Sequence, residues 1–350
     1  MEITLPISPQ PSRWLPLLLA IAIFMQMLDA TILNTALPNI AADLDESPLD
    51  MHSAVVVYTL TVALLIPLSG YLADRFGTRN VFVGSMAVFI AGSLLCAAAQ
   101  NLPMLVVARM VQGVGGSMLA PVPRLTIIRV YEKSQLLNAI NYAGDLFQVR
   151  TFRLGLAGNL FSRLGISSVP FLLPLLFQVA FGFGAGLSGG LVAAAAFASL
   201  LAKPLVRPIM AHYGYRGVLT ANTRLLGILI MLVALPDVHT PLGVWVALLL
   251  AMGLCNSIQF SAMNTLTLAD LRPYQAGSGN SLMAVNQQLS MSFGIALGAL
   301  MLQGWTKSSF GVENLHAAFR LTFLGIGAVT FASGFIFARL HRSDGQNLTE

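Results

Sequence analysis

The chain has 350 residues, of which 56% are hydrophobic and only 9% are charged, and its formal net charge is +5 at pH 7. A soluble domain carries charge on roughly 25% of its residues, so this composition excludes a soluble globule and an intrinsically disordered chain. It predicts a protein that crosses a membrane several times, with helices of ~20 residues as the structural unit.

Continuous apolar runs of helix length recur along the whole chain, which predicts an all-α polytopic membrane protein. A transmembrane β-barrel is excluded because its strands would be shorter and would alternate in polarity. Ten spans are predicted, at residues 14–37, 53–73, 80–100, 103–128, 154–178, 184–206, 217–236, 242–264, 281–304 and 319–339.

Basic residues occur mainly in alternate loops, which predicts the orientation of the chain. The loops 74–80, 129–153 and 203–216 contain Lys or Arg, whereas loop 38–52 contains four acidic residues and neither Lys nor Arg. Because cytoplasmic loops are enriched in Lys and Arg, we expect both termini on the cytoplasmic side. An even number of spans agrees with this orientation.

An internal repeat relates the two parts of the chain. The loops 70–79 and 207–216 share an aromatic-Gly-x-Arg sequence, with Gly77 and Gly214 lying 137 positions apart. Parallel repeats of this kind are typical of transporters. The repeat is unequal, because the predicted unit 1–149 has four spans and the start of a fifth helix.

The second predicted unit, 150–340, has six spans, and residues 341–350 are predicted to form a cytoplasmic tail. Two helices are therefore expected to be missing from the first unit.

Asp29 lies inside the first span, and an acid at the centre of a membrane helix costs at least ~2.5 kcal/mol. A carboxylate there suits proton coupling, because it can alternate between its protonated and charged forms. The alternative is a carboxylate in the outer half of the helix that reaches water.

Arg109 lies inside the fourth span and is followed by glycines at 113, 115 and 116. A buried arginine needs a carboxylate, carbonyl or water partner, and Asp29 is the only acid well inside a span of the first unit. We therefore predict that they pair and that the pair breaks when Asp29 binds a proton. The alternative is a structural arginine that bonds to helix-end carbonyls. The glycines allow neighbouring helices to approach closely, either for static packing or for sliding.

The substrate path is predicted to include polar residues within the spans. These candidates are Thr31, Asn34, Gln112 and Arg163.

The loop between the second and third spans is predicted to form a cytoplasmic gate. Its candidate residues are Gly70, Asp74, Arg75, Gly77 and Arg79. Asp74 is expected at a helix N-terminus, where the helix dipole stabilises an anion, and the arginines are expected to reach a neighbouring helix. The alternative is a group of basic residues that fixes the topology only.

Three segments together resemble signatures of the major facilitator superfamily. Segment 70–79 is similar to its cytoplasmic-loop signature, 109–116 to its fourth-helix signature, and 28–38 to the first-helix signature of its fourteen-helix drug:proton antiporters. The resemblance implies a transporter rather than an enzyme, located in a bacterial inner membrane, that exports small hydrophobic or cationic compounds. It implies that Asp29 and Arg109 couple export to a proton gradient, without a cofactor or a metal.

The sequence departs from this family after Val149. A Gly-Pro-x-x-Gly-Gly signature that is typical of the family's fifth helix does not follow, and Arg150 begins a segment similar to the start of its ninth helix. The resemblance therefore implies that helices five to eight are missing, an even number that preserves the downstream topology.

Two functions are therefore expected as alternatives: an antiporter, or an internally deleted protein that inserts but does not transport. The expected partners are the lipid bilayer and a small-molecule substrate, without nucleic acid. A homodimer could supply the missing helices, although no residue in the sequence requires one.

Overall fold

The computed structural model describes residues 25–26, 29, 33, 35–66, 68–119, 143–272, 275–307, 314–341 and 343–345, and it is helical through most of them. Its helices are α1 (helical positions 25–26, 29, 33 and 35–43), α2 (His52–Leu65), α3 (Leu68–Phe76), α4 (Thr78–Ala97), α5 (Leu102–Leu119), α6 (Ala143–Leu146), α7 (Arg150–Ile166), α8 (Val169–Leu175), α9 (Ala185–Leu232), α10 (Leu242–Leu268), α11 (Ala276–Thr306) and α12 (Leu315–Ala338). A π-helical turn, Leu176–Ala180, follows α8.

Seven helical segments among the described residues are long and apolar enough to cross a membrane. One of them, α9, has 48 residues and would be about 70 Å long if it were straight, more than twice the ~30 Å of a hydrocarbon core. Gly214 breaks it, with φ 68° and ψ 157°, into a first arm (185–213) and a second arm (215–232). Together with α1 and the α2–α3 pair, these segments accommodate the ten predicted spans. The predicted all-helical membrane fold is therefore confirmed.

The predicted start of the fifth span differs from the structure. The chain is already helical at Arg150, four residues before the predicted start at 154. The guanidinium of Arg150 donates a hydrogen bond of 2.5 Å to the carbonyl of Arg339 at the end of α12. Charge at the first turn of α7 is tolerated because this turn lies at the exposed end of the bundle.

Two groups of helices pack around separate axes. In the first, α5 packs against both α2 and α4; in the second, α9 packs against α10 and α12, and α7 packs against α11 and α12. Glycines allow the close contacts: a Cβ on Gly253 would collide with the backbone of Ala195, and one on Gly227 would lie 2.5 Å from the amide nitrogen of Phe331.

The two groups meet mainly where α2 packs against α11. At mid-span, the buried Ser292 hydroxyl donates to the hydroxyl of Thr59 at 2.6 Å. Nearer one end, Gln303 donates to the Asp50 carboxylate at 2.9 Å. Gln178, in the turn after α8, donates to a backbone carbonyl of α1 at 2.9 Å.

The largest buried cluster lies at the same end of the molecule and contains residues of both groups. Among its largest members are Leu37, Met51, Leu105, Phe171, Phe177, Trp245, Phe319 and Phe323. This is the end that carries loops 44–51, 98–101 and 233–241, opposite the loop around Gly77. The two groups of helices are thus closed against each other at the end that is poor in basic residues.

Candidate functional site

A buried polar cluster joins α1 and α5. Arg109 donates from Nη1 to Oδ2 of Asp29 at 2.9 Å, and Gln112 donates from Nε2 to Oδ1 at 2.9 Å. Arg109 also donates to the Gln112 side-chain oxygen. Each carboxylate oxygen of Asp29 therefore accepts a hydrogen bond from α5, and the two donors are linked to each other.

The position of the donors follows from helix geometry. Residues three apart lie on the same face of an α-helix, so Arg109 and Gln112 both face α1. The Asp29 carboxylate then lies between them as the shared acceptor.

The residues around this cluster come from α1, α2 and α5. The guanidinium carbon of Arg109 lies 4.9 Å from the ring centroid of Tyr58, a cation–π distance. Gln26 donates from Nε2 to the Tyr58 hydroxyl and to the carbonyl of Gly116, both at 3.4 Å. The arginine is thus enclosed by a carboxylate, an amide and an aromatic ring.

The glycines after Arg109 explain how α2 approaches α5 so closely. A Cβ on Gly113 would lie 2.9 Å from the Cβ of Thr61, and one on Gly116 would lie 2.8 Å from the Tyr58 hydroxyl. Side chains at either position would push α2 away from α5. The glycines therefore hold Tyr58 against the cluster.

The two charged groups differ in their access to water. The Asp29 side chain is 19% exposed, whereas the Arg109 side chain is 3% exposed, and its Nε is buried without a hydrogen-bond partner. Within the residues that the structure describes, this is the one ion pair. Water can therefore reach the carboxylate, whereas the guanidinium is enclosed.

The other predicted residues of the substrate path lie elsewhere. Thr31 and Asn34 lie outside the described residues. Arg163 is on α7, in the second group of helices, where its guanidinium carbon lies 4.9 Å from the ring centroid of Phe260. Its Nε is buried without a hydrogen-bond partner. The structure thus places Gln112 beside Asp29 and places Arg163 in the other group.

The predicted gate loop is a tight turn between α3 and α4. Gly77, at φ 82°, lies between them. The expected position of Asp74 at a helix N-terminus is wrong: α3 continues to Phe76, so Asp74 lies in its last turn. The helix continues past Asp74 to Phe76 and ends where Gly77 takes a positive φ.

The two arginines of the gate loop are both exposed. Arg75 donates to the hydroxyl of Tyr71 on the same helix at 2.8 Å. Gly70 lies within α3. In the described part of the chain, neither Arg75 nor Arg79 is seen bonded to another helix, so the gate stays a prediction.

Sequence reasoning missed Tyr58 and a second polar network in the other group of helices. There, Asn222 donates to the Gln259 side-chain oxygen at 2.9 Å, and Gln259 donates to the Thr223 hydroxyl at 2.7 Å. All three residues are buried. Amide side chains inside apolar spans are the signal that could have identified this network, because polar groups in a membrane must find partners.

The helical architecture and the polar cluster within it define a membrane transporter. The sequence profile of the Major Facilitator Superfamily matches residues 19–147 and 155–349. The chain therefore belongs to this superfamily, whose members are transporters and not enzymes, and it is a multi-pass membrane protein.

Relatives agree with this assignment. The chain is 30% identical over 450 residues to the protein of Pectobacterium atrosepticum named "Putative multidrug resistance protein MdtD", covering 95% of this chain and 97% of that protein. It is 31% identical over 460 residues to the protein of the same name from Salmonella paratyphi B, covering 97% of each.

A solved structure also has the same fold. The nucleoside transporter NupG superposes with a TM-score of 0.71 at 14% sequence identity, covering 92% of this chain and 98% of that one. At this identity the likeness concerns the fold alone.

The alignments are longer than the chain itself. The match to the Pectobacterium protein spans 450 aligned positions, whereas this chain has 350 residues, so more than a hundred positions have no residue here. The superfamily profile is interrupted at 148–154, where the sequence departs from the fourteen-helix pattern.

Proposed function

We propose that the protein is a proton-coupled exporter of small hydrophobic or cationic compounds, a multidrug efflux transporter that works by drug:proton antiport. Its place is a bacterial inner membrane, with both termini in the cytoplasm. Units 1–149 and 150–340 are its two transport halves. The observation that carries the proposal is the partly exposed Asp29 carboxylate, bonded to the enclosed guanidinium of Arg109.

Protonation of Asp29 is the coupling step. A protonated carboxyl no longer neutralises Arg109, and breaking a buried ion pair costs about 3–5 kcal/mol. This cost favours a rearrangement of α5 that gives the guanidinium a new partner. Gly113 and Gly116 have no side chains of their own to catch on Thr61 and Tyr58 of α2, so α5 can move against α2 there. Proton binding at α1 is thereby converted into helix movement.

The contacts between the two halves support a motion about α2 and α11. The described hydrogen bonds between the halves lie at mid-span and toward the end closed by the largest buried cluster. We assign this end to the outside, so opening it requires loss of the Asp50–Gln303 and Gln178 bonds. The loop with Gly70, Asp74, Arg75, Gly77 and Arg79 is the proposed gate at the opposite, cytoplasmic end.

The test is transport of ethidium, a cationic dye, by purified protein in proteoliposomes with an imposed pH gradient. We expect gradient-driven movement by the unaltered protein and its loss in Asp29→Asn. Asp145→Asn is the matched control, since Asp145 is an exposed acid on α6. Undiminished gradient-driven transport by Asp29→Asn would contradict the proposal.

A second candidate function is favoured by the length of the alignments. The positions absent from this chain are about as many as four membrane helices with their connections require. An internally deleted protein would insert and fold without transporting. Folded protein that moves neither ethidium nor a panel of neutral and cationic dyes under any gradient would support this candidate.

A further inference from the structure

A cavity of about 980 Å³ lies far from the Asp29 cluster, in the second group of helices. It is bounded by the turn between the two arms of α9, the end of α12, and residues 344–345 after it. Its lining includes His212, Arg216, Thr220, Arg224 and Asp344. The cavity therefore opens at the end of the bundle that carries the loop around Gly214.

Two polar atoms of this cavity have no hydrogen-bond partner among the described residues. Arg224 Nε and Thr220 Oγ1 are buried and accept or donate no hydrogen bond among the described residues. The only ion pair of the described residues is Arg109–Asp29, so neither Arg216 nor Arg224 is neutralised by a carboxylate there. Asp344 instead accepts a hydrogen bond of 2.7 Å from the backbone N–H of His341. Among the described residues, the cavity thus presents two guanidinium groups and one carboxylate with no ion pair between them, and its lining keeps a net positive charge.

Packing fixes the inner arginine in place. The guanidinium carbon of Arg224 lies 4.7 Å from the ring centroid of Phe335 and 6.0 Å from that of Phe331, both on α12. Stacking on these rings restricts the guanidinium plane. A guanidinium group held in one orientation can donate two parallel N–H hydrogen bonds to the oxygens of a phosphate group.

The depth of the cavity corresponds to the level of lipid headgroups. Arg224 is ten residues after Gly214, which is about 15 Å along the second arm of α9. The headgroup layer of one leaflet is about 5–8 Å thick, so Arg224 lies at the inner edge of this layer when the turn projects into water by a similar distance. Basic pockets between helices at this depth are suited to acidic lipid headgroups.

We propose that this cavity binds a phosphate-bearing anion, the headgroup of an anionic phospholipid, through Arg216 and Arg224. The hydroxyl of Thr220 donates to the same phosphate. The bound headgroup links the turn of α9 to the end of α12, and its acyl chains lie in the bilayer beside these helices.

The test is binding of short-chain lipids to delipidated protein in a neutral detergent, measured by native mass spectrometry. Dioctanoyl phosphatidylglycerol is the anionic lipid, dioctanoyl phosphatidylcholine the zwitterionic one, and inorganic phosphate the free anion. We expect phosphatidylglycerol to bind more tightly than either of the other two. Arg216→Gln and Arg224→Gln should each weaken it about tenfold, because each removes a charge-assisted contact.

Arg207→Gln is the matched control, since Arg207 is an exposed arginine of the same loop region that does not line the cavity. An equal loss in this variant would show diffuse surface attraction and overturn the proposal. Equal binding of phosphatidylcholine would also overturn it, as would inorganic phosphate that binds as tightly as the lipid. Thr220→Val, which keeps both arginines, tests the cavity if Arg224→Gln fails to fold, and it should weaken binding by several-fold.

Discussion

The Asp29–Arg109 pair predicts a specific pattern of stability in a double-mutant cycle. Asp29→Asn keeps the shape of the side chain but leaves Arg109, 3% exposed, without a counter-ion. Removing one partner of a buried pair costs about 3–5 kcal/mol. Because the Asp29 side chain is 19% exposed and Gln112 still contacts Arg109, we expect a value near the lower limit, about 3 kcal/mol.

The reverse change should cost less. In Arg109→Met, Asp29 keeps the Gln112 hydrogen bond of 2.9 Å and its access to water, so we expect a loss of about 1–3 kcal/mol. The double variant Asp29→Asn/Arg109→Met has no unpaired charge. Its loss should be no larger than that of the smaller single change, which corresponds to a coupling energy of at least about 3 kcal/mol.

The measurement is reversible unfolding in mixed micelles of a neutral detergent and sodium dodecyl sulfate, with helix content as the signal. Asp145→Asn, an exposed acid, is the control and should change the free energy of unfolding by less than ~0.5 kcal/mol. The reasoning is refuted if the two single losses add within ~0.5 kcal/mol in the double variant. Additivity would mean that Asp29 and Arg109 do not stabilise each other.

Three other results are expected. Gly115→Ala should lower the free energy of unfolding by about 1–3 kcal/mol, because its Cβ would lie 2.6 Å from a backbone carbonyl of α4. Gly84→Ala is the control, because there is open space around its Cβ, and it should leave the free energy of unfolding unchanged or raise it. Equal losses of stability in Gly115→Ala and Gly84→Ala would contradict this prediction.

Arg163→Met should leave the free energy of unfolding unchanged or raise it by about 1–3 kcal/mol, because it removes a buried Nε without a hydrogen-bond partner. A clear loss of stability in the same unfolding assay would contradict this prediction.

In the exposed turn at Asp237, the Thr240 hydroxyl donates to the carboxylate and lowers the pKa of Asp237.

Since the pKa of Asp237 is lower in the folded protein, the turn's stabilisation is complete at neutral pH and is lost as the pH falls below about 4. The amide of His239 donates to Oδ1 of Asp237 at 3.0 Å, so its hydrogen exchange, corrected for intrinsic rates, should lose protection in acid, and Asp237→Asn should remove this pH dependence.

The sequence was sufficient to predict the spans and the pairing of Asp29 with Arg109, for the same physical reason. Unpaired backbone groups are costly in a membrane, so long apolar runs must be helices. An unpaired charge is costly there as well, so a lone arginine inside such a helix needs the nearest acid as its partner. One acid was available within the first four spans, which left little choice of partner.

The neighbours of that pair were less predictable. In a soluble protein, the polar face of a helix indicates which side meets water, but a lipid-facing side is as apolar as a packed one. The sequence around Tyr58 is apolar except for Thr59 and Thr61, whose hydroxyls bond to carbonyls of their own helix, so the position of Tyr58 against Arg109 could not be foreseen. The position of Asp74 depended on where one helix stopped, which is fixed by Gly77 alone.

The repeat also shows what the missing helices would contribute. An offset of 137 residues relates α2 to 189–202, in the first arm of α9, and relates α11 to 139–169. The contact between α2 and α11 should therefore have a symmetry-related contact between the first arm of α9 and a helix that begins near 139. Among the described residues of this region, the short α6 comes first, and α7 follows as the first predicted span of the second half.

On the first arm of α9, Phe197 is 59% exposed and Leu200 is 61% exposed, so this face is open to lipid or to another helix. One of two equivalent contacts between the halves is retained, and it carries the Thr59–Ser292 bond. Gradient-driven dye transport by this chain would mean that one contact is enough to guide the movement of one half against the other. If folded protein does not transport the dye, the motion needs both contacts. The absence of one pair of helices would then remove transport while leaving the Asp29–Arg109 pair intact.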